Sequence, residues 1–390
     1  MMPATEQAFS ALNALFKSHN KELWMVGGAV RDYIRGEIPL DIDFCTNATP
    51  NEMIAIVESQ DYWKYIPTGL QHGTITFMSL FGCFEVTTLR KDINCDGRHA
   101  EVEFTNSLLE DAKRRDFTMN ALYMDINGKI IDFFDGKEHI KSNTIRFIGD
   151  ANDRIKEDAL RIMRFFRFCA KDDMKFLPKD FNAIINNVNL LKDISVERVW
   201  DEIKKATFKS PDRMDIFFNL AYMTGAMEAL NIPGERPFVG INKVKATLGV
   251  YPAIFPEFYM AAVIKDSRKA AEFSKKFKLS TAERNNLLWY SKMINTYTFE
   301  TFTKTIVEDE INAGTNKSHL ESFASYLNNG LLEERIKSIP KSKFPVTGAD
   351  LIALGYKEGV KLGQKLSTLR EIWKNSRYTA TKNDLLKIYK

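Results

Sequence analysis

Apolar residues return at three- and four-residue spacing from Thr5 to Lys17, with Phe9, Leu12 and Phe16 on one face, and this predicts an opening amphipathic helix. The apolar run Leu23 to Val26 follows and stops at Gly27-Gly28, which predicts a short buried strand running into a turn. A helical pattern from Ala29 to Arg35, the run Ile42 to Cys45, a Thr49-Pro50 helix start and strand-like stretches at Thr74 to Met78 and Phe84 to Leu89 come next. The predicted fold class is therefore α+β, with a small mixed sheet in the first part of the chain. Beyond Ile140 the strand signal fades, and amphipathic helical periodicity continues to the end, broken at Pro178, Pro233-Gly234, Pro252, Pro256, Pro340 and Pro345. No internal repeat or low-complexity linker separates the parts, so they are expected to abut through helices.

With 390 residues and 44% hydrophobic composition, the chain has enough apolar material for several packed units. It contains no run of eighteen or more uncharged apolar residues, and Met1 to Ser10 carry neither a signal-peptide pattern nor an Arg-rich bias, so a cytoplasmic protein without membrane contact is expected. Cys45, Cys83, Cys95 and Cys169 are scattered, which argues against both a disulfide framework and a structural zinc site. The net charge of +4 hides an asymmetry: Lys361 to Lys390 hold eight basic residues against Glu371 and Asp384, an excess of +6. Such a segment reads either as a phosphate-seeking tail or as a solvated, lysine-rich helix.

Chemistry concentrates near the glycine turn. Gly27 and Gly28 let backbone amides approach a phosphate with no Cβ in the way, and Arg31 adds a cation. Asp41 and Asp43, spaced i and i+2 on an expected strand, would project to one face, where two carboxylates are costly unless a cation lies between them. Mg2+ fits hard oxygen donors of this kind; alone, the pair also fits a turn or a solvated strand edge. Glu85 lies on a run that could pair beside them, either as a third carboxylate taking a proton or completing a metal site, or as a solvent-facing strand residue.

An ordered set of motifs then carries a resemblance. Val26 to Asp32 with Asp41-Ile42-Asp43, then Phe84 to Asp92 and Asp96 to Phe104, resemble the metal motif and flexible loop of the class II tRNA nucleotidyltransferases, a family of CCA-adding enzymes with the bacterial poly(A) polymerases as close relatives. Arg114 to Leu122, Ile131 to Gly136, Arg154 to Phe168 and Ile194 to Ile203 are similar to the family's following motifs. Together they span Trp24 to Lys205, about half the chain. Phe344 to Leu351 with Gly355, Gly359 and Gly363 resembles the tRNA-binding tail, while Lys205 to Lys343 matches by position only. Phe133-Phe134 departs from the proline that relatives commonly carry in this hinge.

The resemblance implies a polymerase-β-like nucleotidyltransferase head at 1–140, a helical neck with a nucleotide-selecting pocket at 141–205, a helical body at 206–343 and a basic tRNA-binding tail at 344–390. It implies Mg2+-dependent addition of CCA to the 3′ end of tRNA from CTP and ATP, with pyrophosphate released and no protein partner. Arg115 then faces the triphosphate, Asp116 and Asn120 the ribose, and Arg164 and Arg167 the triphosphate or primer strand. Asp158 and Arg161, three apart in a helical pattern, would share a face. Cytosine and adenine both present an amine donor beside an unprotonated ring nitrogen, so an aspartate and an arginine accept both and reject uracil and guanine; each mismatch leaves buried groups unpaired at roughly 1–3 kcal/mol. Read without the resemblance, Glu157, Asp158, Arg161, Arg164 and Arg167 make a charged helix face laced by its own pairs.

The alternatives are a poly(A) polymerase, an A-only or CC-only tRNA nucleotidyltransferase, or a non-enzymatic tRNA-binding protein. The segment Arg90 to His99 is of the type CCA-adding relatives use to switch from C to A, the chain has no long basic extension after Lys390, and Asp41 and Asp43 are both present. These features favour CCA addition.

Overall fold

The computed structural model describes residues 3–39, 41–95, 100–172, 174–234, 255–327 and 329–389. Its first helix, α1 (Pro3–Ser18), buries the predicted face: the Phe9 ring lies 5.0 Å from Phe44 and the Phe16 ring 5.6 Å from Phe77. Those partners belong to one side of a sheet of seven strands, β1 (Leu23–Val26), β2 (Asp43–Thr46), β3 (Lys64–Gly69), β4 (Thr74–Ser79), β5 (Gly82–Thr88), β8 (Leu122–Met124) and β9 (Ile130–Asp132), in the order β3-β4-β5-β2-β1-β8-β9. The sheet is mixed, since β2 pairs parallel to β5 and antiparallel to β1.

Two helices lie between these strands. Between β1 and β2 runs α2 (Gly28–Ile34), and α3 (Pro50–Glu58) starts where predicted: Thr49 accepts from the Glu52 amide, Glu52 reaches back to the Thr49 amide, and Pro50 occupies the first turn. The hairpin β6 (Arg90–Cys95) and β7 (Ala100–Phe104) forms a separate two-stranded sheet, and Asp96 to His99 of the expected loop lie outside the described residues. It is followed by α4 (Leu108–Lys113).

Strand alternation decides what faces the site. Phe44 packs under α1 while Cys45 joins Trp24, Val26 and Tyr123 in a cluster on the other face, so Asp43 looks away from α1. The same alternation turns Phe84 and Val86 inward and Glu85 outward.

After β9 come α5 (Gly136–Lys141), α6 (Ala151–Glu157), α7 (Leu160–Asp172), α8 (Pro178–Asn187), α9 (Val196–Lys209) and α10 (Met214–Met223). Among the described residues the helical region is interrupted by one short parallel pair, β10 (Thr144–Ile145) with β11 (Lys175–Phe176). A ring cluster joins sheet to helices: Phe117 lies 4.9 Å from Phe147 and 5.6 Å from Phe168, and Phe147 stacks 5.9 Å from Phe165. One apolar core runs from Ala8 to Tyr290, and the last segment has its own, built on Val346, Leu351, Leu369, Trp373 and Leu385. Among the described residues no helix is long and apolar enough to cross a membrane, and Cys45, Cys83 and Cys169 are free thiols.

Candidate active site

Register brings the acidic residues together. Asp43 is the Cα partner of Val26 on β1 and of Glu85 on β5, and side chains at directly paired positions share a face. Burial raises the Asp43 pKa, the Glu85 carboxylate raises it further, Arg115 opposes and Asp41 adds to the rise. Solvent reaches Asp43 through the cleft mouth, yet the surrounding protein strips enough water to penalise its charge. One expectation is corrected here. Only Asp43 lies on the strand, because β2 begins there and Asp41 sits in the bend before it; a strand's two-residue period therefore does not align the pair, although both line the same cleft. Glu85, the Cα partner of Asp43 and exposed on its strand, is outside the lining of that cleft but close enough for its charge to act on Asp43; among the described residues no three His, Cys, Asp or Glu side chains are grouped to hold a metal.

Gly27, Gly28, Arg31, Arg115, Asp116, Asn120, Asp158, Arg161, Arg164 and Arg167 join Asp41 and Asp43 in lining one cleft of about 570 Å³ between the sheet and α7 and α9. Gly27 stands at its floor with φ 70° and ψ −123°, a conformation that only glycine adopts readily, and its amide donates to Leu122 O at 3.1 Å. A Cβ there would lie 3.5 Å from Arg115 Nη1.

The arginines are held by carboxylates. Arg31 donates from Nε and Nη2 to Asp32 Oδ1 at 3.0 and 2.8 Å and from Nη1 to Asn120 Oδ1 at 2.7 Å. Asn120 Nδ2 donates to Asp116 Oδ1 at 3.0 Å, and Arg164 Nε donates to Asp116 Oδ2 at 2.6 Å. Arg164 and Arg167 then converge on Glu202, at 3.8 and 2.6 Å, so one network joins α2, the Asp116 turn, α7 and α9. Burial works against the Asp116 charge, but Arg164 and Asn120 outweigh it and pull its pKa down to about 2. Phe168 lies among the cations, with the guanidinium carbons of Arg31, Arg164 and Arg167 at 5.2, 5.9 and 4.2 Å from its ring centre.

Five contributors to this site went unnoticed in the sequence. Asp111 is almost fully buried and takes Arg114 Nη2 at 2.6 Å, Arg115 Nη2 at 2.9 Å and the Tyr123 hydroxyl at 2.7 Å. Burial opposes its charge, yet Arg115 and Arg114 hold its carboxyl well below the usual range. Its i, i+3 and i+4 spacing to the two arginines was the available signal. Glu202 is 1% exposed, and Arg198, Lys205 and Lys209 line the cleft from the same helix; four-residue steps from Arg198 to Glu202 and from Lys205 to Lys209 mark that face.

The expected shared helical face of Asp158 and Arg161 is also corrected. The helix stops at Glu157, Asp158 is extended with φ −154° and ψ 101°, and α7 starts at Leu160. Asp158 Oδ1 accepts from the Leu160 amide at 3.1 Å and Oδ2 from Arg198 Nη2 at 2.8 Å. Arg161 donates to Glu157 Oε2 at 2.8 Å, Arg154 O at 2.7 Å and Arg114 O at 3.0 Å. Both side chains still line the cleft.

A mixed sheet presenting an acidic pair to an arginine-lined helical cleft is the build of a nucleotidyltransferase head. Residues 23–146 match the poly(A) polymerase head domain family. Over 387 residues the chain is 36% identical to the mitochondrial CCA tRNA nucleotidyltransferase 1 of Danio rerio, covering 96% of this chain and 88% of that protein. It is 41% identical over 207 residues to the CCA-adding enzyme of Geobacillus stearothermophilus, 53% of this chain and 50% of that one. In structure it is similar to the Bacillus stearothermophilus CCA-adding enzyme in complex with CTP, with TM-score 0.78, 29% identity and coverage of 97% and 94%. A tRNA nucleotidyltransferase complexed with a primer tRNA and an incoming ATP analogue shares the fold at TM-score 0.65 and 22% identity, over 84% of this chain and 96% of that one. The chain belongs to the CCA tRNA nucleotidyltransferase family. It is a nucleotidyltransferase, an activity for which this family generally uses a divalent metal.

Proposed function

We infer that this enzyme extends the 3′ end of tRNA by C, C and A, taking CTP and ATP and releasing pyrophosphate. The observation that carries the reading is the near full-length likeness to CCA tRNA nucleotidyltransferase together with a cleft that holds an acidic pair, an arginine network, Asp158 and Arg161. The division into head (1–140), neck (141–205), body (206–343) and tail (344–390) belongs to the same reading.

Asp41 and Asp43 are the residues that would hold Mg2+. Two hard oxygen donors fit an ion that takes its remaining ligands from phosphate and water, and the crowding of Asp43 by Glu85 and Asp41 is relieved by a cation. Bound there, the ion supplies Lewis-acid stabilisation to the reacting phosphate oxygens. The rest is done by protein groups. Gly27 and Gly28 keep the floor of the cleft free of side chains for the triphosphate, and Arg31 and Arg115, clamped by Asp32 and Asp111, meet its charge without having to reorganise. Asp116 and Asn120, fixed by Arg164 and Arg31, position the ribose. Glu85 serves beside Asp43 as a third carboxylate.

Asp158 reads the exocyclic amine. Arg198 and the Leu160 amide take one bond at each of its two oxygens, which leaves lone pairs for a base. Arg161, braced by Glu157, reads the ring nitrogen, and Arg164 and Arg167 meet triphosphate or primer. The test uses three tRNAs, ending before CCA, after C and after CC, with each nucleotide alone and then together. The expected pattern is C on the first two, A on the third and no further growth. Repeated A addition without C would overturn the reading.

A further inference from the structure

The end of α9 carries charge and aromatic surface that the roles above leave unused. Glu202 answers Arg167 at 2.6 Å and Lys205 at 3.4 Å and shares Arg164, at 3.8 Å, with Asp116, so cations outnumber carboxylates along this wall. One turn beyond Lys205, Lys209 lines the cleft, is exposed and has no carboxylate partner among the described residues. Its amine stands 5.8 Å from the ring of Phe208, and Phe208 is 74% exposed although the aromatics of the preceding segment 141–205 are buried or half-buried. Pro211 ends the helix just after, which leaves Phe208 and Lys209 in its last turn, Lys209 lining the cleft and Phe208 next to it outside the lining.

We propose that Lys205, Phe208 and Lys209 form a subsite for the single-stranded 3′ end of the RNA acceptor, with Lys205 and Lys209 on its phosphates and a base stacked on Phe208. A ring beside a lysine without a carboxylate partner is the pairing that single-stranded nucleic acid selects, because every base has a face to stack and every linkage a charge to meet. A triphosphate would account for the lysines and leave the ring exposed without a purpose. The subsite continues the nucleotide cleft directly, as it must if the acceptor hydroxyl is to meet an incoming nucleotide. It rests on the reading of the chain as an enzyme that extends RNA.

The test is steady-state kinetics of the full chain with a tRNA ending in CC and ATP, each varied against saturating partner. Phe208→Ala should raise KM for the tRNA about tenfold and leave KM for ATP unchanged, and Phe208→Trp should restore the tRNA KM. Lys209→Gln should lower the slope of log KM for tRNA against log salt by about 0.7. Because Phe208 is exposed, its substitution leaves the core intact. An unchanged tRNA KM in Phe208→Ala, a rise in the ATP KM instead, or no rescue by tryptophan would overturn the subsite. A wild-type enzyme that ignores tRNA and extends a plain oligoribonucleotide contradicts the CCA reading alone; the same variants are then measured with that oligoribonucleotide, and the same outcomes decide.

Discussion

Arg164 and Asp116, 48 residues apart, meet through a 2.6 Å bond from Nε to Oδ2 that ties α7 to the turn carrying Asn120. Asp116 is 8% exposed, so removing either partner strands a charge in a poorly hydrated site. Asp116→Asn should destabilise the folded chain by about 2–4 kcal/mol in urea unfolding. Since the folded pKa of Asp116 is depressed from 3.8 to about 2, its contribution is complete above pH 4 and is lost as pH falls toward 2. The variant should therefore show a shallower acid limb than the wild type; an identical limb would detach this pair from stability.

Glu257 gives a dependence of opposite sign. It is 4% exposed in the helix Pro256–Ile264, its Oε2 has no hydrogen-bond partner among the described residues, and burial pushes its pKa from 4.5 up to about 7. A carboxyl with a raised folded pKa binds more protons folded than unfolded, so stability is highest below pH 4.5 and falls as pH rises to 7. Glu257→Gln should remove this loss, stabilising the protein by up to about 3 kcal/mol at pH 8 and little at pH 5. Thermal unfolding at the two pH values reads the difference, and equal shifts would refute it.

Asp41→Ala and Asp43→Ala should each lower nucleotide addition by more than about a hundredfold while tRNA binding stays largely intact, because the ion serves the reaction more than docking. Chelation should stop the wild type and added Mg2+ restore it. Near wild-type turnover in either variant would remove the metal assignment.

In the last segment many of the cations seen in the sequence are engaged. Lys374 pairs with Asp309, Lys382 with Asp350, and Lys365 lies 4.0 Å from the Tyr389 ring centre. Lys361 and Lys387 are exposed and form no ion pair within 4 Å among the described residues, although the charge of Lys387 is felt by Asp384. If this segment binds tRNA, Lys361→Gln with Lys387→Gln should weaken binding and flatten its salt slope by roughly 1–2. An unchanged slope would leave the tail with a packing role only.

What the sequence revealed and what it hid follow from range. The α1 face, the Gly27 turn and strands β4 and β5 announce themselves through local periodicity and turn chemistry. Strands β8 and β9 have three residues each, too few for a period, and exist because β1 pairs with β8 and β8 with β9. The break at Asp158 was illegible for a related reason: Glu157 to Arg161 contains no glycine or proline, and the helix yields to bonds with Arg198 and the Leu160 amide. Spacing drew the arginines to attention and set Asp111 three and four residues before two of them, but the hold of Glu202 on Arg164 and Arg167 comes from another helix, and long-range partners leave no mark on local pattern.

The central claim is that side chains, in place of a nucleic-acid template, choose C and A, and Asp158→Ala tests it most directly. The substitution removes the acceptor for the exocyclic amine together with the repulsion of the uracil and guanine carbonyls, while Arg161 stays braced by Glu157. Single-nucleotide incorporation with all four triphosphates should show lower efficiency with CTP and ATP and new incorporation of UTP or GTP, a shift in preference of roughly ten- to hundredfold. A variant that slows equally with every nucleotide would contradict the claim and reduce Asp158 to the partner of Arg198 that holds the break between α6 and α7.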